Sequence, residues 1–346
     1  MANTINDVAK LAGVSRQTVS RAINDPDLLN KNTLEKVQRA IQILDYHPNI
    51  TARFLANKRV KSIGLFMPFS ADQVKQNLFF SSLSSSICQY CSHHDFVMQL
   101  FTSLPRADSS RLFVKLYKER QVGGLVLTCP SVTNDELIFL LSEKIPFIIV
   151  GRPGIASKQI NYVDVDNVQA GVLAIEHLTQ FGHVRIGFLN GPANMTLSAD
   201  LHQGVTAAVG NHPSKLNIME AETDLTLDSG YMEALRLLQS EERPTAIFTA
   251  DDLLAVGVKK AADELGLSIP EDLSIISGVQ TGWGNIFPCK LTHIDTQFDK
   301  LGDIAADHLV RLILDGETEN LSKVLEVRLV EGQTCSFVRS SVQADE

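Results

Sequence analysis

From Lys61 onward the chain alternates short apolar runs with longer helical stretches, and it does so in two successive sets. In the first set, strands are expected at Ser62 to Pro68, Val97 to Phe101, Gly124 to Thr128 and Phe147 to Val150. Helices are expected between them, over Leu78 to Tyr90, Arg111 to Arg120 and Asp135 to Glu143. The second set has extended pieces at Tyr162 to Val165, Gly182 to Leu189, Thr245 to Thr249, Leu273 to Gly278 and Leu291 to Asp295. Its helices are expected over Ala170 to Phe181, Ser198 to Val209, Ser229 to Gln239, Asp252 to Leu265 and Phe298 to Leu314. Strands that are apolar on both faces must be covered on both faces, which means parallel sheets sandwiched by helices. The expected core is therefore α/β, two doubly wound lobes with ligand crevices at the carboxyl ends of their strands.

The first 46 residues have a different texture. Ile5 to Arg21 reads as two short helices joined by a tight turn at Gly13, where a left-handed backbone is needed. Ser15 is a good N-cap for the second helix, Arg16 to about Asn24. Ala9, Gly13 and Val19 are spaced so that the two helices cross closely, a helix-turn-helix arrangement in an all-α head. Arg16, Gln17 and Arg21 lie on the second helix, where Arg forks onto guanine and Gln onto adenine in a major groove. Ser15, Thr18, Ser20 and Asn24 are short donors suited to phosphates. A third helix, capped near Asn32 or Thr33, would close the head with Leu34, Val37, Ile41 and Leu44.

The formal net charge of −9 looks wrong for a nucleic-acid binder until it is divided. Residues 1–61 hold ten Lys/Arg and five Asp/Glu, a balance of +5, which leaves −14 on the remainder. A basic head on an acidic body suits counterion release at a phosphate backbone. Five cysteines, Cys88, Cys91, Cys129, Cys289 and Cys335, with no export signal and no membrane-length apolar run, imply reduced thiols in the cytoplasm.

Between head and body, Tyr46 to Arg59 begins with Pro48 and Asn49, which suit a helix start. The segment is too short to hold as an isolated helix in water. Two readings stand: an ordinary linker, or a hinge that orders on DNA and wedges apolar side chains into the minor groove.

Over nearly its whole length the sequence resembles the lactose-repressor/galactose-repressor family of bacterial transcription regulators. The matching stretches are Thr4 to Ser15, Thr18 to Arg21, Tyr46 to Leu55, Gly182 to Gly187, Gly191-Pro192 and Ile269 to Ser274. The resemblance implies operator-reading heads, a hinge helix, a periplasmic-binding-protein-like core and a homodimer on a near-palindromic site. It places Arg16, Gln17 and Arg21 at base-reading positions and Thr4, Thr33 and Tyr46 among the phosphate contacts. Leu55 falls at the minor-groove wedge, with Asn49 and Ala52 beside it. The implied domains are a head at 1–46, a hinge at 47–60, a core at 61–340 and a tail at 341–346. Lobe 1 is expected over about 61–160 and 291–321, lobe 2 over about 161–290 and 322–340, with crossings near Asn161, Lys290 and Ser322.

The chain departs from the family's sugar-grasping pattern. Leu201 stands where an Arg is common, three residues before Gly204, and Gln280 where an Asp is common. Asp251 and Arg152 remain as polar effector contacts. Trp283, the single tryptophan, is either a stacking face at the crevice mouth or a loop anchor. Phe79 and Phe80 either pack in the core or line the cleft. The implied function is a repressor of carbohydrate-utilisation genes switched by a small molecule, most simply a sugar. The alternatives are a non-sugar ligand, no small-molecule effector, or a solute-binding protein.

Other clusters do not build a site. Cys88 to His94 lacks a second paired set at zinc spacing. Asp164, Asp166 and Asn167 fit helix capping better than a calcium loop. His183 has no adjacent nucleophile, and neither a phosphate-binding Gly-Lys-Ser loop nor a Gly-x-Ser-x-Gly elbow occurs. No enzyme activity, cofactor or metal is expected.

Overall fold

The computed structural model describes residues 3–24, 26–46, 60–70, 74–75, 77–102, 106–128, 135–154, 159–212, 215–279, 281–297, 299–316 and 319–338. Two compact units divide the chain, Met1–Val60 and Lys61–Glu346. The hinge residues Asn49, Ala52 and Leu55, the cleft candidate Gln280 and the tail at 341–346 lie outside the described residues.

In the head, α1 (Ile5–Ala12) starts at a capping box in which Thr4 and Asp7 exchange hydrogen bonds. It stops at Gly13, whose φ of 66° is the left-handed conformation expected there. Helix α2 (Arg16–Asn24) follows, and α3 (Lys31–Ile43) is capped by Asn30, whose Oδ1 accepts the Thr33 N–H at 2.8 Å. The cap therefore sits two or three residues before the expected Asn32 or Thr33. Val8, Val19 and Val37, one from each helix, are fully buried and meet in the head's core.

The body contains two six-stranded sheets. Lobe 1 is built from β1 (Ser62–Met67), β2 (Val97–Thr102), β3 (Gly124–Thr128), β4 (Phe147–Val150), β5 (Tyr162–Val165) and β11 (Ser322–Leu325), in spatial order β11-β5-β4-β3-β1-β2. All its pairings are parallel. Its helices are α4 (Leu78–His93), α5 (Arg106–Lys118), α6 (Asp135–Ser142) and α11 (Asp299–Asp315). Both faces of the sheet are buried: Ile63 and Leu65 of β1 join one core, while Phe66 joins another with Phe113 of α5.

Lobe 2 comprises β6 (Arg185–Asn190), β7 (Asn217–Glu222), β8 (Ala246–Asp251), β9 (Ser274–Val279), β10 (Thr292–Asp295) and β12 (Arg328–Val330), ordered β12-β10-β9-β8-β6-β7. Only β12 runs antiparallel to its neighbour, β10. The lobe's helices are α7 (Asn167–Gln180), α8 (Thr196–Asn211), α9 (Leu227–Leu238) and α10 (Asp252–Glu264). Helices α7 and α8 cross at Gly171 and Gly204, where a Cβ on Gly204 would stand 2.0 Å from the Val168 carbonyl oxygen.

Three features differ from the sequence expectation. Strand β7 is not expected from the sequence, because as an edge strand it is half exposed and carries Asn217, Glu220 and Glu222. Short β11 and β12 were also missed. The lobe crossings fall later than expected, between Val165 and Asn167, between Asp295 and Asp299, and between Leu325 and Arg328. The cause is pairing: β5, β10 and β11 each complete the sheet of the lobe the chain is leaving. Asn161, taken as a connector, instead accepts the Leu321 N–H and ties the approach to β11 against β5.

Candidate functional site

Two sites emerge, one in each unit. In the head, Val19 and Ala22 turn inward on α2 while Arg16, Gln17 and Arg21 are exposed. The helix start is stiffened by Ser15, whose Oγ accepts the Thr18 N–H at 3.1 Å. A rigid helix with three long polar side chains on its open face is the geometry a major groove accepts. Thr18 and Ser20 are half-buried, and Asn24 closes the helix. Thr4 is exposed but its hydroxyl donates to Asp7 at 2.7 Å. Tyr46 packs partly buried against the head's core, and Thr33 is half-buried beyond its cap bond.

The second site is a cleft of about 940 Å³, measured open to solvent, between the two lobes. Its wall gathers the carboxyl ends of strands from both sheets. Val150, Asp164 and Val165 come from lobe 1, and Asp251 and Val279 from lobe 2. One side is aromatic: Phe69 and Phe80 ring centroids lie 5.2 Å apart, and Phe79 and Phe80 5.4 Å apart. Phe79 and Phe80 both line the cleft, and Phe80 also packs into the core, so the two readings of this pair coexist.

Two acids at the cleft are buried. Asp251 is the N-cap of α10, its Oδ1 accepting the Leu254 N–H at 2.9 Å. Burial pushes its carboxyl up to about 7, and the neighbouring Asp252 adds to the rise. Asp164 accepts the backbone N–H groups of Arg152 and Val165, and burial still raises it to about 7. Asp166 caps α7 through the Gln169 N–H, as the capping reading expected.

The other expected effector contacts are placed elsewhere. Leu201 is fully enclosed in the core of lobe 2 and does not line the cleft, because the inner face of α8 packs on α7 there. Arg152 follows β4, but its guanidinium is engaged by Asp200 of α8. Trp283 sits in a short 3₁₀ turn, Trp283–Ile286, packed partly buried on the core rather than on the cleft wall. That turn is organised by fully buried Asp252, which accepts the N–H groups of Thr281, Gly282 and Gly284 and the Thr281 hydroxyl. Sequence reading took Asn167 for a helix-capping residue and passed over Thr296, and both line the cleft at lobe crossings. Their side-chain oxygens are buried and find no hydrogen-bond partner among the described residues. Nothing local marks either residue, since an Asn beginning a helix and a Thr after a strand are commonplace.

His183 is held by Thr245, Ser274 and the Ser336 carbonyl, a structural arrangement. Among the described residues no group of His, Cys, Asp and Glu is placed to hold a metal, and no helix is long and apolar enough to cross a membrane.

With both sites defined, the comparisons fit them. Residues 4–49 match the model for bacterial regulatory proteins of the lacI family, and residues 175–335 match a periplasmic binding protein-like domain. The HTH-type transcriptional repressor PurR of Photorhabdus laumondii is 31% identical over 333 residues, 95% of each chain. The chain belongs to the LacI family of bacterial regulators. Among solved structures, the Lac repressor dimer bound to operator and the anti-inducer ONPF superposes with a TM-score of 0.83 at 25% identity, covering 97% of this chain and 100% of that one. The regulator CelR in complex with cellobiose gives 0.72 at 27% identity, covering 96% and 99%. This LacI-family protein is accordingly a DNA-binding transcriptional repressor, and its relatives are repressors rather than enzymes.

Proposed function

We propose that the repressor binds a near-palindromic operator as a homodimer in the bacterial cytoplasm, and that an effector in the interlobe cleft sets its affinity. Arg16, Gln17 and Arg21 read bases, Thr4, Ser15, Thr18, Ser20, Asn24, Thr33 and Tyr46 meet phosphates, and Asn49, Ala52 and Leu55 serve the minor groove. The observation that carries this reading is a helix face with Arg16, Gln17 and Arg21 exposed and a cleft walled by both lobes, in one chain. The cleft is walled by both lobes, so a ligand held there makes different contacts in open and closed forms and shifts the balance between them. The Lac repressor relative supports the dimer on operator DNA, and the cellobiose-bound relative supports a sugar effector and carbohydrate genes. A second reading, a flat heterocyclic effector such as a nucleobase, is favoured by the three phenylalanines and by the absence of Arg at Leu201. The test is footprinting of genomic fragments, then operator titrations at fixed salt with and without cellobiose, ribose and adenine. A two-fold protected site whose affinity moves with one of these supports the proposal. No protected site, or affinity indifferent to every small molecule tried, removes it.

A further inference from the structure

Asn167 and Thr296 line the cleft and are 4% and 2% exposed, and each keeps a buried side-chain oxygen that has no hydrogen-bond partner among the described residues. Asn167 opens α7 just after the first lobe crossing, and Thr296 follows β10 at the second. The Asn167 amide nitrogen already donates to Asp164 Oδ1 at 3.3 Å, which leaves the Asn167 Oδ1 as an acceptor. A buried acceptor without a partner costs stability, and a ligand donor removes that cost. The same cleft is lined by Phe69, Phe79 and Phe80, whose clustered rings suit the face of a ring.

The charge of the cleft narrows the class further. Asp164, Asp224 and Asp251 line it, and among the described residues no Lys, Arg or His does. Residues 76 and 280, adjacent in sequence to lining residues, are both Gln, and Lys75 is exposed and outside the lining. Arg152, next to the lining residue Gly151, is held by Asp200 through two nitrogens. A phosphate or carboxylate entering here would be stripped of water beside acidic groups, with no cation among the described lining residues to meet it.

We infer that the cleft floor is a specificity subsite in which Asn167 and Thr296 accept hydrogen bonds from an uncharged ring ligand, and which refuses anionic ligands. This rests on the reading of the cleft as the effector site. It adds that the effector is a free sugar, nucleoside or base and not its phosphorylated form. Because both acceptors stand at lobe crossings, the ligand is gripped where the lobes turn relative to each other.

The test is calorimetric titration of the full-length protein with cellobiose, ribose, adenine and adenosine, and with ribose 5-phosphate and adenosine monophosphate. At least one uncharged compound is expected to bind, with anionic counterparts at least about 100-fold weaker. Thr296→Val replaces a partnerless hydroxyl by a methyl. It is expected to lower affinity for the binding compound about tenfold while the melting temperature holds or rises. Asn167→Leu is expected to weaken binding at least as much, and the valine variant decides the matter if the leucine variant misfolds. Tighter binding of a phosphorylated compound overturns the inference. So does unchanged affinity in Thr296→Val, or binding by none of the compounds. Uncharged binding without any change in operator affinity would instead refute the switch and leave the subsite standing.

Discussion

Arg152 Nε donates to Asp200 Oδ2 at 2.8 Å, joining the loop after β4 in lobe 1 to helix α8 in lobe 2. A second guanidinium nitrogen reaches Asp200 Oδ1, which makes the pair bidentate. The Arg152 side chain is 41% exposed and that of Asp200 only 8%, so solvent screens the cation more than its partner. Truncating the arginine leaves a nearly buried carboxylate unpaired. Arg152→Met is expected to destabilise the core by about 1–3 kcal/mol. A double-mutant cycle with Asp200→Asn in urea should show a coupling of about 1 kcal/mol, and additivity within about 0.3 kcal/mol would deny the link. The same variants are expected to open the lobes, read as a larger radius of gyration by small-angle scattering.

Asp251 provides a pH test. Its carboxyl is raised to about 7 by burial, above its unfolded value near 4. The native state therefore binds more protons than the unfolded chain between about pH 4 and about pH 7, and this group's contribution is lost as pH rises through that window. Asp251→Asn keeps an oxygen to accept the Leu254 N–H but cannot ionise. The variant is expected to be more stable than the parent at pH 8 by about 2–4 kcal/mol, with little difference at pH 4. Urea denaturation at the two pH values checks it, and an equal shift at both would contradict the assigned cause.

Asp252, its neighbour, has its acceptor capacity fully used. Four donors from Thr281, Gly282 and Gly284 converge on its fully buried carboxylate. Asp252→Ala strands those donors and is expected to cost about 3 kcal/mol or more. It should also loosen the Trp283 turn, seen as a red shift in the emission of the protein's single tryptophan.

At the head, Arg21→Ala is expected to cost about 1–3 kcal/mol of discrimination between operator and random DNA. Leu55→Ala should weaken specific binding and DNA bending while barely changing non-specific affinity. Anisotropy titrations over a salt series check both, and equal loss on random DNA would contradict the assigned roles.

Much of this molecule was readable from its residues. The turn at Gly13, the burial of Val19 and the sequence positions of most helices and strands followed from spacing and capping, which act over one or two turns. Strand β7 escaped because, as an edge strand, it exposes Asn217, Glu220 and Glu222, which interrupt its short apolar run before any regular alternation shows. At the cleft, Phe79, Phe80 and Asp251 were within reach of sequence reasoning, because each ends or begins an element at the carboxyl side of a sheet.

By itself the sequence determined which segments become helices and strands, and that a basic helical head precedes a two-lobed parallel core. Periodicity, glycine conformation and local charge decide those matters, and all are properties of neighbours along the chain. Only the tertiary structure decided which lobe receives β5, β10 and β11, that Asp200 holds Arg152 at the lobe boundary, and that Asn167 and Thr296 line the cleft with buried oxygens that lack a partner among the described residues. Those outcomes depend on which backbone edges and polar groups meet in space, well beyond one or two turns of chain, and in a buried site each polar atom's role is set by whether a partner arrives.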